Sequence, residues 1–577
     1  MSETPKTPVI EFKDFQFQYF SQAEPTLHEI NLTINKGEKV LLVGPSGSGK
    51  STLGHCLNGL IPFSYKGEIQ GSLKIMGQET KEMDIFQLSK MVGTVLQDSD
   101  GQFIGLTVGE DVAFALENDC VELESMKETV QKVTDIVDMG ELLKSSPFEL
   151  SGGQKQRVSF AGVMVDNVDI LLFDEPLANL DPATGKTAID LIDRVWRDQE
   201  KTVIIIEHRL EDVLYRDVDR VIVVGDGRIV ADMSPDDLMS ADILPELGIR
   251  EPLYVTAMKY AGIKVTPDMH AGRLDTLDME QVKAPILAWN GAQEKKTKPA
   301  ERPVLLRADH ISFQYTKKRK ILQDISFSIH EGEMVSIVGT NGAGKSTLAK
   351  LICGFVREDK GKIYYSGEDM ADWTIKERSK KIGFVMQNPN QMICKPMIYD
   401  EVALGLRIRG VPEEEIEPKV DRALKICGLS PFKKWPVSAL SFGQKKRVTI
   451  ASVLVLEPQI LILDEPTAGQ DYHHYTEIME FLRSLNSQGV TIIMITHDMH
   501  LMLEYTPHAI VISGGRKIGD ASAVEILTDE EIAEQANLKV TSLYELAVKT
   551  GIEDPSSFVQ NFIDYERGAR QNEDETV

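Results

Sequence analysis

A glycine-rich turn that closes on a lysine and a serine is the first candidate for chemistry in this sequence. The turn follows the apolar run 40–43, and its key positions are Gly44, Gly47, Gly49, Lys50, Ser51 and Thr52. Successive backbone N–H groups of such a turn can point at a polyanion because no Cβ intervenes. The lysine would reach the outer phosphates of a nucleotide, and the serine hydroxyl could hold Mg²⁺. The pattern therefore predicts a site for a nucleoside triphosphate.

The same turn occurs again in the second half of the chain. It follows the apolar run 335–338, and its key positions are Gly339, Gly342, Gly344, Lys345, Ser346 and Thr347. Each copy lies between an apolar run, which predicts a buried strand, and a segment that can continue as a helix. Strand, turn and helix in this order are the context that a phosphate-binding loop requires. Two copies in this context predict a protein with two nucleotide sites.

Paired acids end an apolar run in each half, as Asp174-Glu175 and Asp464-Glu465. An aspartate at a strand end can reach Mg²⁺ that the serine of the turn holds, and the next glutamate can polarise the water that attacks the γ-phosphate. The aspartates follow the two lysines by 124 and 119 residues (174 − 50 and 464 − 345). We therefore predict that the aspartates are metal ligands and that the glutamates are catalytic.

Three further motifs occur in the same order in both halves: a glutamine, a Leu-Ser-x-Gly-Gln stretch and a histidine. They supply Gln97, Ser151, Gly153, Gln154 and His208 in the first half, and Gln387, Ser441, Gly443, Gln444 and His497 in the second. Glutamine to serine is 54 residues in both halves (151 − 97 and 441 − 387), and serine to aspartate is 23 in both (174 − 151 and 464 − 441). This agreement predicts a duplicated domain, in which Phe442 replaces the first glycine of the second stretch.

On these motifs in fixed order, each half resembles an ATP-binding cassette (ABC) ATPase. The resemblance implies an α/β fold of two tandem ABC ATPase domains, each with a mainly parallel sheet core, an antiparallel β subdomain and a helical subdomain. Segments 110–114, 207–210 and 400–404 resemble more specifically the ATPases of energy-coupling-factor importers of the cobalt or thiamine-precursor type. The expected domain bounds are 7–245 and 303–535 for the cassettes, 246–302 for an appendage and linker, and 536–577 for a C-terminal helical appendage and tail.

The resemblance also implies roles for the glutamines and the histidines. Gln97 and Gln387 would complete the shell of Mg²⁺ and water and would sense the γ-phosphate. His208 and His497 would hydrogen-bond the γ-phosphate and hold the water and the glutamate in line. The implied substrate is ATP, hydrolysed to ADP and phosphate with Mg²⁺ as the cofactor.

The duplicated Leu-Ser-x-Gly-Gln stretch explains why two halves are needed. Ser151 and Ser441 are predicted N-caps of the helices that follow, and helix N-termini attract anions. In the family, this terminus is docked against the ATP of the opposite cassette, which implies a head-to-tail pair of cassettes. The serine, second glycine and glutamine of each stretch would thus complete the site of the other half. We expect two competent sites, with Phe442 affecting the one that contains Lys50.

Aromatic residues ahead of each turn could bind the base. Tyr19 and Tyr315 lie 31 and 30 residues before the two lysines (50 − 19 and 345 − 315). The face of an aromatic ring can stack on adenine. Both tyrosines also belong to segments with the alternation of a strand, so a core aromatic is the alternative interpretation.

Composition and charge restrict the classes of function. A chain of 577 residues is too long for one core and should divide into at least two domains. A net charge of −26 argues against a nucleic-acid binder, whose surface would carry a surplus of lysine and arginine. No apolar run approaches the ~20 residues that a membrane-spanning helix needs, and the N-terminus does not resemble a signal peptide. Five cysteines without a CxxC pair indicate free thiols in a reducing compartment.

We therefore expect a peripheral ATPase at the cytoplasmic face of the cell membrane that powers uptake of a small molecule. The resemblance implies two partners, a transmembrane scaffold subunit and a substrate-binding membrane subunit. The cargo would be a vitamin, a vitamin precursor or a transition-metal ion. The alternatives are the double-cassette ATPase of a sugar importer and a soluble ribosome-associated double cassette, whose linker would be long and basic. A DNA-repair cassette would carry a coiled-coil or zinc-bearing insertion, and both halves are too short for one.

Overall fold

The chain divides into two units in the computed structural model. Unit 1 comprises Met1–Leu180 and Thr184–Trp289, and unit 2 comprises Asp181–Ala183 and Asn290–Val577. The structure describes residues 7–96, 99–178, 180–293, 302–316, 319–467, 470 and 472–574. Gln97, one of the predicted ligands, lies outside these residues, as do positions 294–301 of the expected linker.

The first half of the chain alternates strands and helices. Its strands are β1 (Pro8–Tyr19), β2 (Leu27–Asn35), β3 (Lys39–Val43), β4 (Gly67–Ile75), β5 (Gln78–Glu79), β6 (Val92–Val95), β7 (Ile170–Asp174), β8 (Thr202–Ile206), β9 (Arg220–Gly225) and β10 (Arg228–Met233). Its helices are α1 (Lys50–Leu57), α2 (Leu60–Phe63), α3 (Ile85–Ser89), α4 (Val108–Asn118), α5 (Leu123–Ile136), α6 (Gly152–Met164), α7 (Pro182–Gln199), α8 (Leu210–Leu214), α9 (Pro235–Ser240), α10 (Ile243–Glu246), α11 (Leu253–Tyr260) and α12 (Met279–Gly291).

The second half repeats this order of elements. Its strands are β11 (Val304–Thr316), β12 (Arg319–His330), β13 (Met334–Val338), β14 (Lys360–Tyr365), β15 (Glu368–Asp369), β16 (Ile382–Val385), β17 (Ile460–Asp464), β18 (Thr491–Ile495), β19 (His508–Ser513) and β20 (Arg516–Ala521). Its helices are α13 (Lys345–Cys353), α14 (Ile375–Arg378), α15 (Ile398–Ile408), α16 (Glu413–Ile426), α17 (Phe442–Leu454), α18 (Tyr472–Ser487), α19 (Met499–Tyr505), α20 (Ala523–Leu527), α21 (Glu530–Gln535), α22 (Ser542–Thr550) and α23 (Pro555–Asp574).

A six-stranded sheet forms the core of unit 1, in the order β10-β9-β3-β8-β7-β6. Strand β3 pairs in parallel with β8 and β9, and β7 pairs in parallel with β6 and β8. Every residue of β3 and β8 is buried, as expected for strands covered on both faces. The carboxyl ends of β3, β7 and β8 therefore meet at one edge, where the glycine-rich turn, the paired acids and the histidine follow.

Unit 2 has the matching sheet, in the order β16-β17-β18-β13-β19-β20. Strand β13 pairs in parallel with β18 and β19, and β17 pairs in parallel with β16 and β18. The second turn, the second pair of acids and the second histidine again follow neighbouring strands. The spacing agreement of the sequence thus corresponds to the same topology built twice.

A smaller antiparallel sheet accompanies each core sheet, in the orders β2-β1-β4-β5 and β12-β11-β14-β15. In β2 the buried residues Ile30, Leu32 and Ile34 alternate with exposed ones, which confirms the predicted period of two. Helices α4 to α6 and α15 to α17 form a helical part in each unit. The predicted fold, with a parallel core, an antiparallel subdomain and a helical subdomain in each half, is confirmed.

Further helices follow each cassette. Helices α11 and α12 lie within the expected appendage 246–302, and α22 and α23 lie within 536–577. Across the part of the chain that the structure describes, every helix is too short or too polar to cross a membrane.

Candidate active sites

The two glycine-rich turns have backbone conformations that require glycine. Gly49 and Gly344 both have φ of 101°, a left-handed conformation that side chains with a Cβ rarely adopt. A Cβ on Gly44 would lie 2.2 Å from the backbone oxygen of Val224, so the chain can pass there only without one. In both turns, therefore, no Cβ atom of these glycines covers the backbone N–H groups, which must be accessible to bind phosphates. In the helices that follow, Thr52 is buried, and the second-half residue Thr347 is half-buried.

Each turn is closed by its own lysine. Lys50 is buried, and its Nζ donates to the backbone oxygens of Gly44 at 2.7 Å and Pro45 at 2.8 Å. Lys345 donates in the same way to Gly339 at 2.7 Å and to the next residue at 3.0 Å. Burial lowers the pKa of Lys345, and the charge of Glu465 opposes this. The ammonium groups lie at the turn, where they can turn to the outer phosphates of a nucleotide.

Asp174 ends β7 and supports a cation site in unit 1. Its Oδ1 is buried and has no hydrogen-bond partner among the described residues. Burial raises the pKa of this carboxyl to about 6, with further contributions from the neighbouring charges of Glu175 and Glu207. A buried, unpartnered carboxylate oxygen among other acids is suited to a hard cation such as Mg²⁺. Ser51, the predicted second ligand, is the second residue of α1 and is exposed.

Asp464 ends β17 and makes the corresponding arrangement in unit 2. Burial raises the pKa of Asp464, and a hydrogen bond with the side chain of Ser346 opposes this. The predicted hydroxyl and carboxylate ligands are thus already side by side, and oxygen ligands are those that Mg²⁺ prefers. Gln387, the third predicted ligand, follows β16 and has an exposed side chain. The residues present therefore fit a Mg²⁺ ion in both units.

Glu175 and His208 form a pair in unit 1. The Nε2 atom of His208 lies 3.0 Å from Oε1 of Glu175. Burial alone would raise the pKa of Glu175. The hydrogen bond and charge of His208 and the charge of Lys50 outweigh this effect, and the net result is a lowered pKa. The backbone of Glu175 has φ of 49°, and its N–H donates to Ile206 at the end of β8 at 2.8 Å. An ionised glutamate is thus held in a rare conformation beside a histidine.

Glu465 and His497 repeat this pair in unit 2 through the other ring nitrogen. The Nδ1 atom of His497 lies 2.8 Å from Oε1 of Glu465. Glu465 also has a positive φ, 47°, and its N–H donates to Ile495 at 2.9 Å. Non-glycine residues in this region cost about 1–3 kcal/mol and cluster at functional sites. The same strain at the same position in both units indicates a shared functional requirement.

The serines of both Leu-Ser-x-Gly-Gln stretches are the predicted N-caps. Ser151 Oγ accepts from the Gln154 N–H at 3.4 Å, and Gln154 Oε1 accepts from the Ser151 N–H at 2.9 Å. Ser441 and Gln444 make the same capping box, at 3.3 and 3.0 Å. Both glutamine side chains therefore bond to the serine of their own stretch, and these capping boxes stabilise the first turns of α6 and α17.

Phe442 is accommodated because the position that it occupies has space. At the matching Gly152 of unit 1, an added Cβ would meet nothing closer than 3.9 Å. At Gly153, in contrast, a Cβ would lie 2.3 Å from the Thr184 side chain, and at Gly443 it would lie 3.2 Å from Gln470. The second glycine is thus the restricted one, and both units keep it. The Phe442 side chain is 45% exposed.

The two tyrosines predicted to stack on adenine differ in their surroundings. The hydroxyl of Tyr19 lies 3.1 Å from Oγ1 of Thr52, and its ring makes edge contacts with those of Phe17 and Tyr65. Tyr315 is 54% exposed, so its ring is available as a platform. Tyr315 is therefore not a core aromatic residue, which was the alternative interpretation, whereas the Tyr19 ring is partly packed against its neighbours.

Two residues beside these sites were not among the predicted site residues. Glu207 precedes His208 in the first half, and its only signal was its place in a segment that resembled one importer class. Lys446 follows Ser441 by five residues (446 − 441) and is almost fully buried. A lysine at this position has no recognisable pattern by itself, because the groups that it contacts are backbone oxygens.

Comparison with known proteins identifies the family. A family model described as ABC transporter matches residues 27–178 and 322–468, which together make up more than half of the chain. The chain belongs to the ATP-binding cassette transporter family. A second model, described as ATP-binding cassette cobalt transporter, matches residues 241–313 of this ABC ATPase.

Curated relatives match the ABC ATPase over nearly its whole length. An ABC transporter ATP-binding protein of Clostridium perfringens is 60% identical over 97% of this chain and 99% of the relative. One of Enterococcus faecalis is 58% identical over 98% of this chain and 100% of the relative. A solved structure is also similar, that of cbiO1 from Clostridium perfringens, part of the ABC transporter complex cbiONQ. Its sequence is 36% identical, the match covers 41% of this chain and 95% of the cbiO1 chain, and the TM-score is 0.38.

These findings confirm several of the sequence predictions. The family, the two fused cassettes and the α/β fold are as predicted, and the protein is an ATP-binding ATPase coupled to transport.

Proposed function

We propose that this ABC ATPase hydrolyses ATP at two competent sites, with Mg²⁺ as cofactor, to drive import of a small molecule through separate membrane subunits. The observation that carries the proposal is the duplicated pair of an ionisable glutamate and a histidine, with Glu175 3.0 Å from His208 and Glu465 2.8 Å from His497. A protein with one degenerate site would not need the strained glutamate conformation in both units.

Each unit supplies the same set of groups to the nucleotide. Backbone N–H groups of the glycine-rich turn would hold the phosphates, and Lys50 or Lys345 would neutralise their charge. Mg²⁺, when bound between the serine hydroxyl, the aspartate and the glutamine, supplies charge neutralisation at the β- and γ-phosphates. Its ligands would be Ser51, Gln97 and Asp174 in unit 1, and Ser346, Gln387 and Asp464 in unit 2.

The glutamates orient the water that attacks the γ-phosphorus. In hydrolysis, the bond from the water oxygen to the γ-phosphorus forms while the bond to the bridging oxygen of ADP breaks. Because its pKa is lowered, Glu175 is a weak base and acts mainly by accepting a hydrogen bond from the water. His208 holds the glutamate and can donate to the γ-phosphate, and Glu465 and His497 do the same in unit 2. Tyr19 and Tyr315 would stack on the two adenines.

The two Leu-Ser-x-Gly-Gln stretches support pairing of the cassettes. Each stretch begins a helix whose N-terminal N–H groups and cap serine form an anion-attracting end. We propose that the stretches with Ser151 and Ser441 complete the sites of the opposite cassettes, head to tail. Groups supplied in this way to a transferring phosphoryl can contribute roughly 10³–10⁵ in rate, so hydrolysis would depend on closure.

Among the cargo classes implied by the sequence, a transition-metal ion has the most support. The model that matches residues 241–313 is described as that of a cobalt transporter. Vitamins and vitamin precursors remain the other classes of the proposal. The partners would be a transmembrane scaffold and a substrate-binding membrane subunit, and the ATPase would bind the scaffold peripherally at the cytoplasmic face.

Purification from native membranes in mild detergent tests the proposal. We expect a polytopic scaffold and a small, very hydrophobic subunit to copurify, and the ATPase rate of the complex to exceed that of the isolated chain. Ribosomal proteins without a membrane partner would refute the transport function. Radioactive cobalt uptake by cells that contain the complex, with a Glu175→Gln, Glu465→Gln double variant as control, then tests the cargo.

A further inference from the structure

We propose that the two units hold their catalytic glutamates in place with buried side chains of opposite hydrogen-bonding character, the acceptor Glu207 in unit 1 and the donor Lys446 in unit 2. The inference rests on the proposed function, because it takes Glu175 and Glu465 as the residues that orient the attacking water. Glu207 and Lys446 are positioning residues, because their side chains bond to backbone groups of the loops that carry the catalytic residues.

Glu207 joins two loops of unit 1 through three hydrogen bonds. Its side chain is almost fully buried, and its Oε2 accepts from the N–H of Leu177 at 3.1 Å. Its Oε1 accepts from the N–H groups of His208 at 2.8 Å and Arg209 at 3.2 Å. Leu177 is two residues beyond Glu175. One carboxylate therefore ties the segment after the glutamate to the segment that carries its histidine partner.

This connection addresses a specific need of the unit 1 site. Glu175 has φ of 49°, a conformation that persists only where the surroundings impose it. Its 3.0 Å contact with His208 also requires that two loops from neighbouring strands keep a fixed separation. Glu207 accepts one hydrogen bond from the loop after Glu175 and two from the loop that carries His208. The carboxylate thus fixes both halves of the catalytic pair.

Lys446 joins a different pair of loops in unit 2. Its side chain is 1% exposed, and its Nζ donates to the backbone oxygens of Gln387 at 2.7 Å and Met386 at 3.1 Å. The same Nζ donates to the backbone oxygen of Glu465 itself at 3.2 Å. One ammonium therefore ties the catalytic glutamate to the loop of the predicted glutamine ligand.

Each unit has a residue that does not titrate where the other has its buried acid or base. Thr496 precedes His497 as Glu207 precedes His208, and its Oγ1 accepts from the N–H of Asp498 at 3.0 Å, within its own loop. Gln156 follows Ser151 by five residues (156 − 151), and its amide donates to the backbone oxygen of Pro176. The acid in unit 1 and the base in unit 2 are thus alternative means of securing the same segment. Unit 1 secures it to the histidine loop, and unit 2 secures it to the glutamine loop.

Near-isosteric substitutions remove the hydrogen bonds of Glu207 and Lys446 without leaving a cavity. Glu207→Gln replaces one accepting oxygen with an amide nitrogen that faces backbone N–H donors. Lys446→Met keeps the length of the side chain but leaves three carbonyl oxygens without their donor, a loss that proteins tolerate poorly. Thr496→Val is the matched control for Glu207→Gln, and Gln156→Met is the unit 1 counterpart of Lys446→Met.

The test uses the full chain with MgATP in two backgrounds, each with one catalytic glutamate silenced. In Glu465→Gln protein, turnover depends on Glu175, and there Glu207→Gln should lower kcat roughly 10–100-fold, because small displacements of a reacting group have large effects. Lys446→Met should have little further effect in this background. In Glu175→Gln protein the order should reverse. KM for ATP should be unchanged, because Glu207 and Lys446 bond only to backbone groups and not to the side chains that are predicted to bind ATP or Mg²⁺.

Amide hydrogen exchange provides a readout that needs no turnover. Glu207→Gln should increase exchange in segments 175–178 and 207–210 together, while Thr496→Val leaves segment 465–467 unchanged. Equal losses of kcat in both backgrounds, or release of only one of the two segments, would overturn the inference. Full activity of both the Glu175→Gln and the Glu465→Gln protein would instead refute the catalytic roles on which it rests.

Discussion

Replacing His508 with arginine should remove a pH dependence of stability that this histidine gives to unit 2. His508 begins β19, with Nδ1 2.9 Å from Oε1 of Glu333 and Nε2 2.7 Å from Oδ1 of Asp520. Burial lowers the pKa of His508, but the hydrogen bonds and charges of these two carboxylates outweigh it and raise the pKa to about 9. Lys517 contacts Asp520 and His330 contacts Glu333, so these are the other basic side chains around the pair of carboxylates.

The size of the effect follows from the difference between the folded and unfolded pKa. A rise from 6.5 to about 9 corresponds to at most ~3 kcal/mol at 1.36 kcal/mol per unit. Solvent reaches part of the site and screens the charges, so we expect about 1–2 kcal/mol. Because the folded pKa is the higher one, this stabilisation is complete below pH 6.5 and is lost as pH rises through 9.

Unit 1 supplies the substitution that tests this reasoning. There Arg220 begins β9 and contacts Glu38 at 2.8 Å and Asp232 at 3.0 Å, the same arrangement with a cation that does not titrate. We therefore compare thermal unfolding of the wild type and His508→Arg between pH 6 and pH 10. The difference in Tm should grow by roughly 2–4 °C in favour of arginine as pH rises above 8. His508→Gln should instead lose stability mainly below pH 8. Parallel curves for all three proteins would refute the elevated pKa of His508.

Three further predictions concern the sites and the fold. Glu175→Gln and Glu465→Gln should each lower steady ATPase, and together they should reduce it about 10²–10⁴-fold; full loss from one and none from the other would mean a single competent site. Ser441→Ala should cost about 1 kcal/mol of unfolding free energy through the lost cap of α17, with Ser452→Ala in the same helix as the control. Arg378→Met should cost about 1–3 kcal/mol, because the buried guanidinium donates to the backbone oxygens of Leu351, Ile352 and Met370; an unchanged denaturation midpoint would contradict this.

The elements that position the sites could be predicted from the sequence because each leaves a local pattern. The runs 170–173 and 460–463 are apolar since β7 and β17 are covered on both faces of a parallel sheet. The turns need glycine for a positive φ, and the capping boxes need serine and glutamine three residues apart. Such requirements act within a few residues, so one sequence is enough to show them.

The supporting contacts could not be predicted because they connect distant segments through the backbone. Glu207 bonds to an N–H 30 residues away, and Lys446 bonds to a carbonyl 59 residues away. A backbone N–H or carbonyl is the same at every residue, so neither contact leaves a complementary side chain to recognise. The use of different ring nitrogens by His208 and His497 is equally invisible in the sequence, since it depends on how each ring is turned.

The two units match in the groups that the nucleotide would restrict and differ in the groups that support them. The groups that would meet the nucleotide are restricted by its phosphates, so the lysine, serine, aspartate, glutamate and histidine are the same in both units. The groups behind them only have to satisfy backbone atoms, which an acid can do by accepting and a base by donating. Glu207 against Thr496 and Gln156 against Lys446 are two such exchanges. Because each exchange ties the segment after the glutamate to a different loop, the two units reach the same arrangement of glutamate and histidine through different supports.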